Sequence, residues 1–351
     1  MLAPVVHILP LTRIRRDRLL PVPGKVLVRR GQMVSTTDVI AESNLNPEHL
    51  LLNIARGLGL PEEKADQYLQ CKAGMRVSQG DVLAGPVGMA KRVVRAPKNG
   101  NVIVAGGGQV LLELESPPYE VKAGMPGTVV HLMDELGAAI ETTGALIQGV
   151  WGNGRLDFGL MYVLMKNPDD VFTPDRLDVS LRGSIILGGY CDNPEVLKSA
   201  ASLPMRAMIF SSMAAALIPL AERIRIPILV IEGFGQHPMN SAAFKLLSTN
   251  ERREVAVNAQ PWDPFTGNRP EIVIPLPANV DPPLPQDTEP FTAGQQVRVI
   301  RAPHQGSIGT IVELRPGMSE LPNGISAAVA EIQLESGEKA LLPLANLEVL
   351  A

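Results

Sequence analysis

The stretch GDVLAGPVGMAKRVVRAPKNGNV, residues 80–102, consists of short apolar runs separated by glycines and prolines. Such runs between turn-forming residues are typical of short β-strands connected by tight turns. The stretch closes with Ala-Pro, two further residues and Gly-Asn-Val, and it holds a central lysine, Lys91. It therefore predicts a small β-rich domain, and it raises the question of whether that domain presents Lys91 at a hairpin.

The same arrangement of apolar runs around a glycine recurs through residues 21–150. Gly31, Gly74 and Gly137 are expected to adopt positive φ in tight turns between strands. Repeated half-motifs of this kind predict a flattened β-sandwich with pseudo-twofold symmetry. The repeated segments are GKVLVRRGQMVSTTDVIAE (24–42), KAGMRVSQGDVLAG (72–85) and AGMPGTVVHLMDELGAAIETTGALIQG (123–149), and the segment RAPKNGNVIVAGGGQVLLELE (95–115) has the same alternation.

Between the first two copies the pattern changes from strand-like to helix-like. Asn46-Pro47-Glu48 has the cap, proline and early acid of a helix start. Leu50, Leu51, Ile54 and Leu58 would then share one helical face. The segment PEEKADQYLQ (61–70) predicts the beginning of a second short helix. We therefore expect a helical insertion at about residues 47–70.

Residues 21–46 and 70–150 resemble the biotinyl/lipoyl-like barrel-sandwich hybrid family, with MPGTV at 125–129 similar to the turn of biotin carriers. Carriers of that family present their lysine at the apex of a hairpin, usually beside methionine. Lys91 instead stands in Met-Ala-Lys-Arg, five residues before Ala96. The resemblance thus implies the fold without a cofactor, as a docking module; a carrier modified at Lys91 is the alternative.

From about residue 180 the sequence alternates strands with helices. Buried-strand candidates are SIILGG (184–189), RAMIF (206–210) and PILVIEG (227–233), and each precedes a helical pattern of about 11 residues. A fourth strand, EVAVNA (254–259), follows. The alternation predicts right-handed crossovers and a parallel sheet.

The C-terminal segments QQVRVIRAPHQGSIGTIVEL and KALLPLANLEVL resemble a KOW domain, a small SH3-like barrel. Pro303, Gly306 and Gly309 match its sharp strand-reversing turn. Many KOW domains bind RNA or ribonucleoprotein. Residues 291–351, however, hold four basic and six acidic residues with a single aromatic, which favours a protein partner over nucleic acid.

These patterns predict a multidomain α+β chain. It comprises a barrel-sandwich hybrid domain (1–150) with the helical insertion, an α/β module (151–276), a stiff linker with five prolines (277–290) and a KOW barrel (291–351). The net charge of −4 provides no global field for nucleic acid or anionic membranes. Two distant cysteines predict neither a disulfide framework nor a metal cluster, and we expect a cytoplasmic protein without membrane spans.

Two sets of side chains are candidate binding sites. A basic surface is expected near the N-terminus, where a solvated face that contacts a partner is the alternative to phosphate binding; it comprises Arg13, Arg15, Arg16, Arg18, Arg29 and Arg30. The second set lies where ligands bind in parallel sheets, beyond the carboxyl ends of the strands. Its members are Gly188, Gly189, Ser211, Ser212, Glu232, Gly233, Gly235 and His237.

Glu232 and His237 could perform acid–base chemistry, but neither a third group nor metal-ligand spacing accompanies them. Cys191 stands beside Asp192, which disfavours its thiolate as a nucleophile. We therefore expect a non-catalytic adaptor or binding protein that docks to a larger protein or ribonucleoprotein assembly, with no cofactor and no metal. The alternatives are an α/β enzyme or small-molecule sensor that uses the turn at 232–237, and the carrier modified at Lys91.

Overall fold

The computed structural model describes residues 2–45, 48–89, 91–115, 117–263, 267–278, 282–321 and 323–351. Strands hold 46% of the residues and helices 14%, so the chain is β-rich, with several sheets and few helices. This agrees with the predicted α+β multidomain class at the level of secondary structure.

The strands are numbered in chain order. They are β1 (Leu2–Val6), β2 (Ile8–Leu19), β3 (Lys25–Val26), β4 (Met33–Val34), β5 (Val39–Ser43), β6 (Glu48–Asn53), β7 (Arg76–Val77), β8 (Val82–Val87), β9 (Arg92–Arg95), β10 (Gly100–Gly106), β11 (Gln109–Leu114), β12 (Tyr119–Lys122), β13 (Gly127–Met133), β14 (Gly137–Gln148), β15 (Trp151–Gly152), β16 (Leu156–Val163), β17 (Ile185–Gly188), β18 (Ala207–Met213), β19 (Ile228–Phe234), β20 (Glu254–Asn258), β21 (Glu271–Pro275), β22 (Thr288–Pro290), β23 (Gln296–Val299), β24 (Ile308–Leu314), β25 (Ser319–Glu320), β26 (Ser326–Ala327), β27 (Val329–Leu334), β28 (Lys339–Pro343) and β29 (Leu347–Leu350).

The helices are short. The α-helices are α1 (Ile54–Leu58), α2 (Glu62–Ala65), α3 (Pro194–Ser202), α4 (Ile218–Arg223) and α5 (Ser241–Thr249), and the 3₁₀ turns are Asp66–Tyr68, Pro174–Arg176, Val179–Leu181, Ala215–Leu217 and Leu344–Asn346. Asn193 and Asn240 cap α3 and α5 through side-chain oxygens that accept backbone N–H bonds, as the sequence predicts. No helix in the described ranges is long and apolar enough to cross a membrane.

The repeats predicted for residues 21–150 form two turns with the same hydrogen bonds. The Asp38 carboxylate accepts the Ser35 amide at 2.8 Å, and the Asp81 carboxylate accepts the Ser78 amide at 2.8 Å. Four residues before each of these serines, a glycine also hydrogen-bonds to a later strand. Gly31 N donates to Val129 O and Gly74 N donates to Val102 O, both at 2.7 Å. Segment 24–42 therefore pairs with 123–149, and segment 72–85 pairs with 95–115.

The predicted conformation of the three turn glycines is confirmed. Gly31, Gly74 and Gly137 have φ of 82°, 85° and 152°. At Gly137 a Cβ would also lie 2.0 Å from the carbonyl oxygen of Arg18, so the close approach of β2 requires glycine there.

Residues 48–115 form a unit with its own core, inserted between β5 and β12. Its four-stranded sheet has the order β6-β11-β10-β7, and α1 packs into the same core through Ile54 and Leu58. The predicted helix is wrong over Glu48–Asn53, which is strand β6. The apolar pattern fits both structures, because Leu50 and Leu52 face the core in the strand and pairing with β11 overrides helix propensity. The expected cap at Asn46 and Pro47 lies outside the described residues.

The α/β region contributes a parallel set of strands in the order β19-β18-β17-β16 to an 11-stranded sheet. The prediction that EVAVNA extends the parallel set is wrong, since β20 runs antiparallel to β16 and β21. β20 lies on the far side of β16 from the parallel set, where the sheet continues with antiparallel strands through β21 and β14. The 12-residue strand β14 then joins this region to β2 and β13.

The C-terminal region forms a seven-stranded sheet with the order β22-β1-β29-β23-β24-β27-β28. The N-terminal strand β1 pairs in parallel with β29, and the end of the proline-rich linker pairs with β1 as β22. Ala3 and Val5 enter the core of this sheet. The sequence division, which assigns residues 1–150 to one domain, does not anticipate this pairing.

Candidate functional site

The predicted ligand set lies at the carboxyl ends of the parallel strands, and backbone fills part of this region. A Cβ on Gly189 would lie 1.8 Å from the carbonyl oxygen of Asp170, and a Cβ on Gly188 would meet the Phe172 ring at 2.6 Å. Ser211 is fully buried, and its hydroxyl finds no hydrogen-bond partner among the described residues. Gly188 and Gly189 thus permit close packing of the loop that holds Asp170 and Phe172.

The second half of that set forms a closed loop. The Ser212 hydroxyl donates to His237 O at 2.8 Å and accepts from His237 N at 3.1 Å. The His237 ring nitrogen Nε2 lies 3.2 Å from Phe234 O. Gly233 and Gly235 have φ of 120° and 105°, which lets the chain reverse around Phe234.

The Glu232 carboxylate is buried, and both of its oxygens have hydrogen-bond partners within the chain. Its Oε1 accepts bonds from the backbone and side-chain amides of Asn240, and its Oε2 lies 2.9 Å from Arg298 Nη1. Only 1% of the side chain is exposed. This carboxylate therefore joins its own loop to the C-terminal sheet, and no open cleft surrounds it.

The structure brings together the strand-end loop and the predicted KOW turn. Gly306, with φ of 83°, lies against the His237 ring, because a Cβ there would be 2.7 Å from Nδ1. Gly309 faces Ile332 within the C-terminal sheet, and Pro303 lies in the turn before β24. The C-terminal sheet thus covers the end of the parallel strands where a ligand was predicted.

Arg298 is the centre of a buried ion network. Its guanidinium also contacts Glu348 at 2.6 Å, and Glu348 lies 3.7 Å from Arg269. Burial acts to lower the pKa of Arg298, but the charges of Glu348 and Glu232 outweigh burial and leave that pKa raised. Through Arg269 the network extends from the strand-end loop to a wide groove.

This groove, which we call the arginine groove, has a volume of about 1200 Å³ and is lined by β2, β12, five loops and single residues of β14 and β16. Cations outnumber carboxylates along it. The cations are Arg15, Arg16, Arg18, Lys122, Arg155, Arg225 and Arg269, and the carboxylates are Asp17, Glu120, Asp263 and Asp287.

Two arginines of β2 share one carboxylate at the base of the groove. Arg16 contacts Glu271 at 2.8 Å, and Arg18 contacts it at 3.5 Å while donating to Ala123 O at 2.8 Å. Burial acts to lower the pKa of Arg16, but Glu271 outweighs it and leaves that pKa raised. Burial lowers the pKa of Arg18, with partial compensation from Glu271. Arg16, Arg18 and Glu271 together carry one excess positive charge, which nearby Asp287 partly offsets.

Other cations of the groove are also held in place. Arg155 donates to Ile224 O at 2.6 Å, and the Arg269 guanidinium lies 5.6 Å from the ring centroid of the exposed Trp262. The pKa of Asp287 is lowered, chiefly by its hydrogen bond with His7, and the charge of Arg16 adds to this effect. The groove thus carries an excess of positive charge, and contacts within the chain hold several of its arginines in place.

The structure divides the predicted basic surface. The groove is lined by Arg15, Arg16 and Arg18. Arg13 lies nearer the N-terminal end of β2, and Arg29 and Arg30 lie in the exposed segment before Gly31. Four further groove cations come from distant segments and were not predicted: Lys122, Arg155, Arg225 and Arg269. No local pattern in the sequence marks them.

Lys91 lies in the turn between β8 and β9, with φ of 46° and an exposed side chain. The hairpin position that a carrier lysine needs is therefore present, although the flanking residues differ from the acceptor pattern.

Neither a metal cluster nor an activated thiol is found within the described ranges. No group of three histidine, cysteine or carboxylate side chains could hold a metal ion there. Burial, together with the nearby charge of Asp192, raises the pKa of Cys191 to about 12. The sequence prediction about this thiol is confirmed, with burial as the larger cause.

No protein-family model matches the chain, and a comparison with curated proteins finds no relative.

Proposed function

We propose that the chain is a non-catalytic adaptor that docks on a larger protein or ribonucleoprotein assembly, with the arginine groove as its main contact surface. Seven cations and four carboxylates meet in a groove of about 1200 Å³, larger than a typical small-molecule site. This observation carries the proposal. The groove suits an extended polymer segment rather than a metabolite.

The arrangement of charges favours a protein as the direct partner. The carboxylates among the arginines would repel a continuous phosphate backbone, but they can pair with cationic side chains of a polypeptide. Internal partners already orient Arg16, Arg18 and Arg155, so binding costs little side-chain entropy. The net charge of −4 agrees with this assignment.

We infer that the two repeated turn units are the halves of barrel-sandwich hybrid folds, and that residues 291–351 form a KOW barrel together with β1. The matching turns at Ser35 and Ser78 and the antiparallel C-terminal sheet support these assignments. The two cysteines, both buried and free, fit the expected cytoplasmic location.

The test compares two double variants with the same change in net charge. K122E/R225E reverses two groove cations that have no side-chain partner among the described residues. K72E/R223E reverses two exposed cations outside the groove. Tagged proteins are purified from native lysate with and without nuclease, and the recovered proteins are quantified by mass spectrometry.

We expect the wild type and K72E/R223E to recover the same proteins, and K122E/R225E to lose them at least tenfold, with or without nuclease. Equal recovery by both double variants would contradict the groove as a contact surface. Recovery that disappears after nuclease treatment would assign the groove to nucleic acid instead.

The hairpin position of Lys91 favours the carrier as a second candidate function. Biotin or lipoate on this lysine would appear as a mass increment in the intact protein, absent from Lys91→Ala. The residues flanking Lys91 differ from the acceptor pattern, so we expect no increment. An increment at Lys91 would replace the adaptor proposal with the carrier.

A further inference from the structure

Strand β6 (Glu48–Asn53) is an outer strand with an unprotected edge. All six of its residues pair with β11 on one side. Within the described ranges, no residue hydrogen-bonds to the backbone on its other side. Protein edge strands are usually blocked by proline, lysine, a bulge or a covering element. The six residues of β6 include no proline, lysine or bulge; one charged residue, Glu48, stands at its start, and its central residues are Leu50, Leu51 and Leu52.

Which backbone groups of β6 point away from β11 can be worked out from the hydrogen bonds at the other edge of the sheet, between β10 and β7. Val102 N donates to Met75 O and Val102 O accepts from Gly74 N, so the Val102 backbone faces β7. Backbone direction alternates along a strand, and therefore Asn101 and its partner Glu113 bond to each other across β10 and β11.

The same alternation along β11 points Leu112 toward β6, where its partner is Leu50. His49 and Leu51 therefore direct their N–H and C=O groups outward, away from β11, and Asn53 directs its N–H group outward. The free edge offers three donors at alternate positions but only two free acceptors, because the Asn53 carbonyl, at the N-cap of α1, accepts the first hydrogen bond of that helix.

The outward residues also carry the solvent-exposed side chains. Leu51 is 59% exposed and lies beside Leu111, which in turn lies beside Val104, itself 54% exposed. This apolar row crosses three strands. It lies between a row with His49 and Glu113 and the polar row that begins at Asn53. Leu50 and Leu52, by contrast, pack on the core.

We propose that β6 pairs antiparallel with β6 of a second copy of this chain, about a twofold axis at Leu51. That register places outward backbone groups opposite outward backbone groups, with Leu51 opposite its own copy and His49 opposite Asn53. About four main-chain hydrogen bonds form, two between the Leu51 residues and one in each His49–Asn53 pair, and the two sheets join into one. The apolar row becomes continuous across the interface, and no like charges are directly opposed.

A second copy matches this edge by symmetry in strand length, bonding pattern and the apolar centre at Leu51. The contact is small, since it consists of one strand pair and a row of side chains. We therefore expect a dissociation constant in the micromolar range, roughly 1–100 µM.

The test is sedimentation velocity on the full chain between about 5 and 200 µM, spanning that range. The wild type should shift from 37.6 kDa toward twice that mass. L51K should weaken the dimer at least tenfold without lowering the melting temperature, because the side chain points to solvent. L341K is the matched control, since Leu341 is a 40% exposed leucine on the outer strand β28.

A second variant keeps the test informative if L51K folds poorly. L51C should be joined into a covalent dimer by a short bismaleimide, whereas the wild type should not, because Cys71 and Cys191 are buried. A wild type that stays monomeric at 200 µM, or a dimer that survives L51K, would overturn the proposal. A co-purifying protein lost from L51K would also overturn it, by assigning the edge to another partner.

Discussion

At the scale of single residues, only some of the hydrogen-bond partners of Glu232 can be predicted from the sequence. PILVI before it predicts a buried strand, and the following loop amides are the donors that a buried carboxylate needs. Asn240 is one of these donors. Arg298 could not be predicted, because it approaches from 66 residues away. The identity of the cation depends on tertiary packing that no local pattern contains.

Glu232→Ala is expected to lower the free energy of unfolding by about 3–5 kcal/mol, since it leaves Arg298 buried beside one fewer carboxylate. Urea unfolding measures the change. Glu232→Gln retains an acceptor for Asn240 and should cost less than Glu232→Ala. A variant that melts like the wild type but loses a metabolite-induced shift would make this turn a ligand site.

Asp170 gives a prediction about pH. Its carboxylate accepts the Lys166 amide at 2.7 Å and lies 3.3 Å from Arg176, and these contacts lower its pKa, with the Lys166 amide the largest cause. A lowered folded-state pKa stabilises the protein above the ordinary pKa of the group, and this stabilisation is lost as pH falls toward the folded-state value.

Asp170→Asn should therefore be less stable than the wild type at pH 7, with the difference shrinking below about pH 4. Chemical unfolding at pH 7, 5, 4 and 3 measures this trend. A difference that stays constant down to pH 3 would contradict the assignment of the effect to the Asp170 charge.

At the scale of elements, the sequence predicted the turns and capped helices better than the pairing of strands. The caps at Asn193 and Asn240 and the positive φ of Gly31 and Gly74 follow from local chemistry, so they were predictable. The helix predicted over Glu48–Asn53 rests on Leu50, Leu51 and Ile54, which share a helical face, whereas in the strand Leu50 and Leu52 face the core and Leu51 faces solvent. The arginine groove was predictable only along β2, where its cations are contiguous.

The two matched turns predict matched energetic effects. Asp38→Ala and Asp81→Ala each remove a carboxylate that accepts a backbone amide at 2.8 Å. Each should lower the free energy of unfolding by roughly 0.5–1.5 kcal/mol. Asp134→Ala is the control, because Asp134 lies in the β13–β14 turn and makes no hydrogen bond there. Equal losses in all three variants would contradict a special role for the repeated turns.

At the scale of the whole molecule, the two ends of the chain form one sheet. β1 lies between β22 and β29, and Val5 is opposite Val349. Glu232 and Arg298 add a buried link from this sheet to the parallel strands. A fragment of residues 291–351 alone would lack β1 and β22, so its binding properties would not represent those of the intact chain.

Val5→Asp should therefore destabilise a region almost 300 residues away in sequence. Val5 is 3% exposed in the core of the C-terminal sheet, so a carboxylate there would be buried among apolar side chains. We expect a loss of at least about 3 kcal/mol and new protease cleavage within residues 291–351. Leu2→Asp is the control, because Leu2 lies on the same strand with 66% exposure and should leave cleavage unchanged. Cleavage confined to the first residues of Val5→Asp would mean that the C-terminal strands fold without β1, and that the two ends meet without depending on each other.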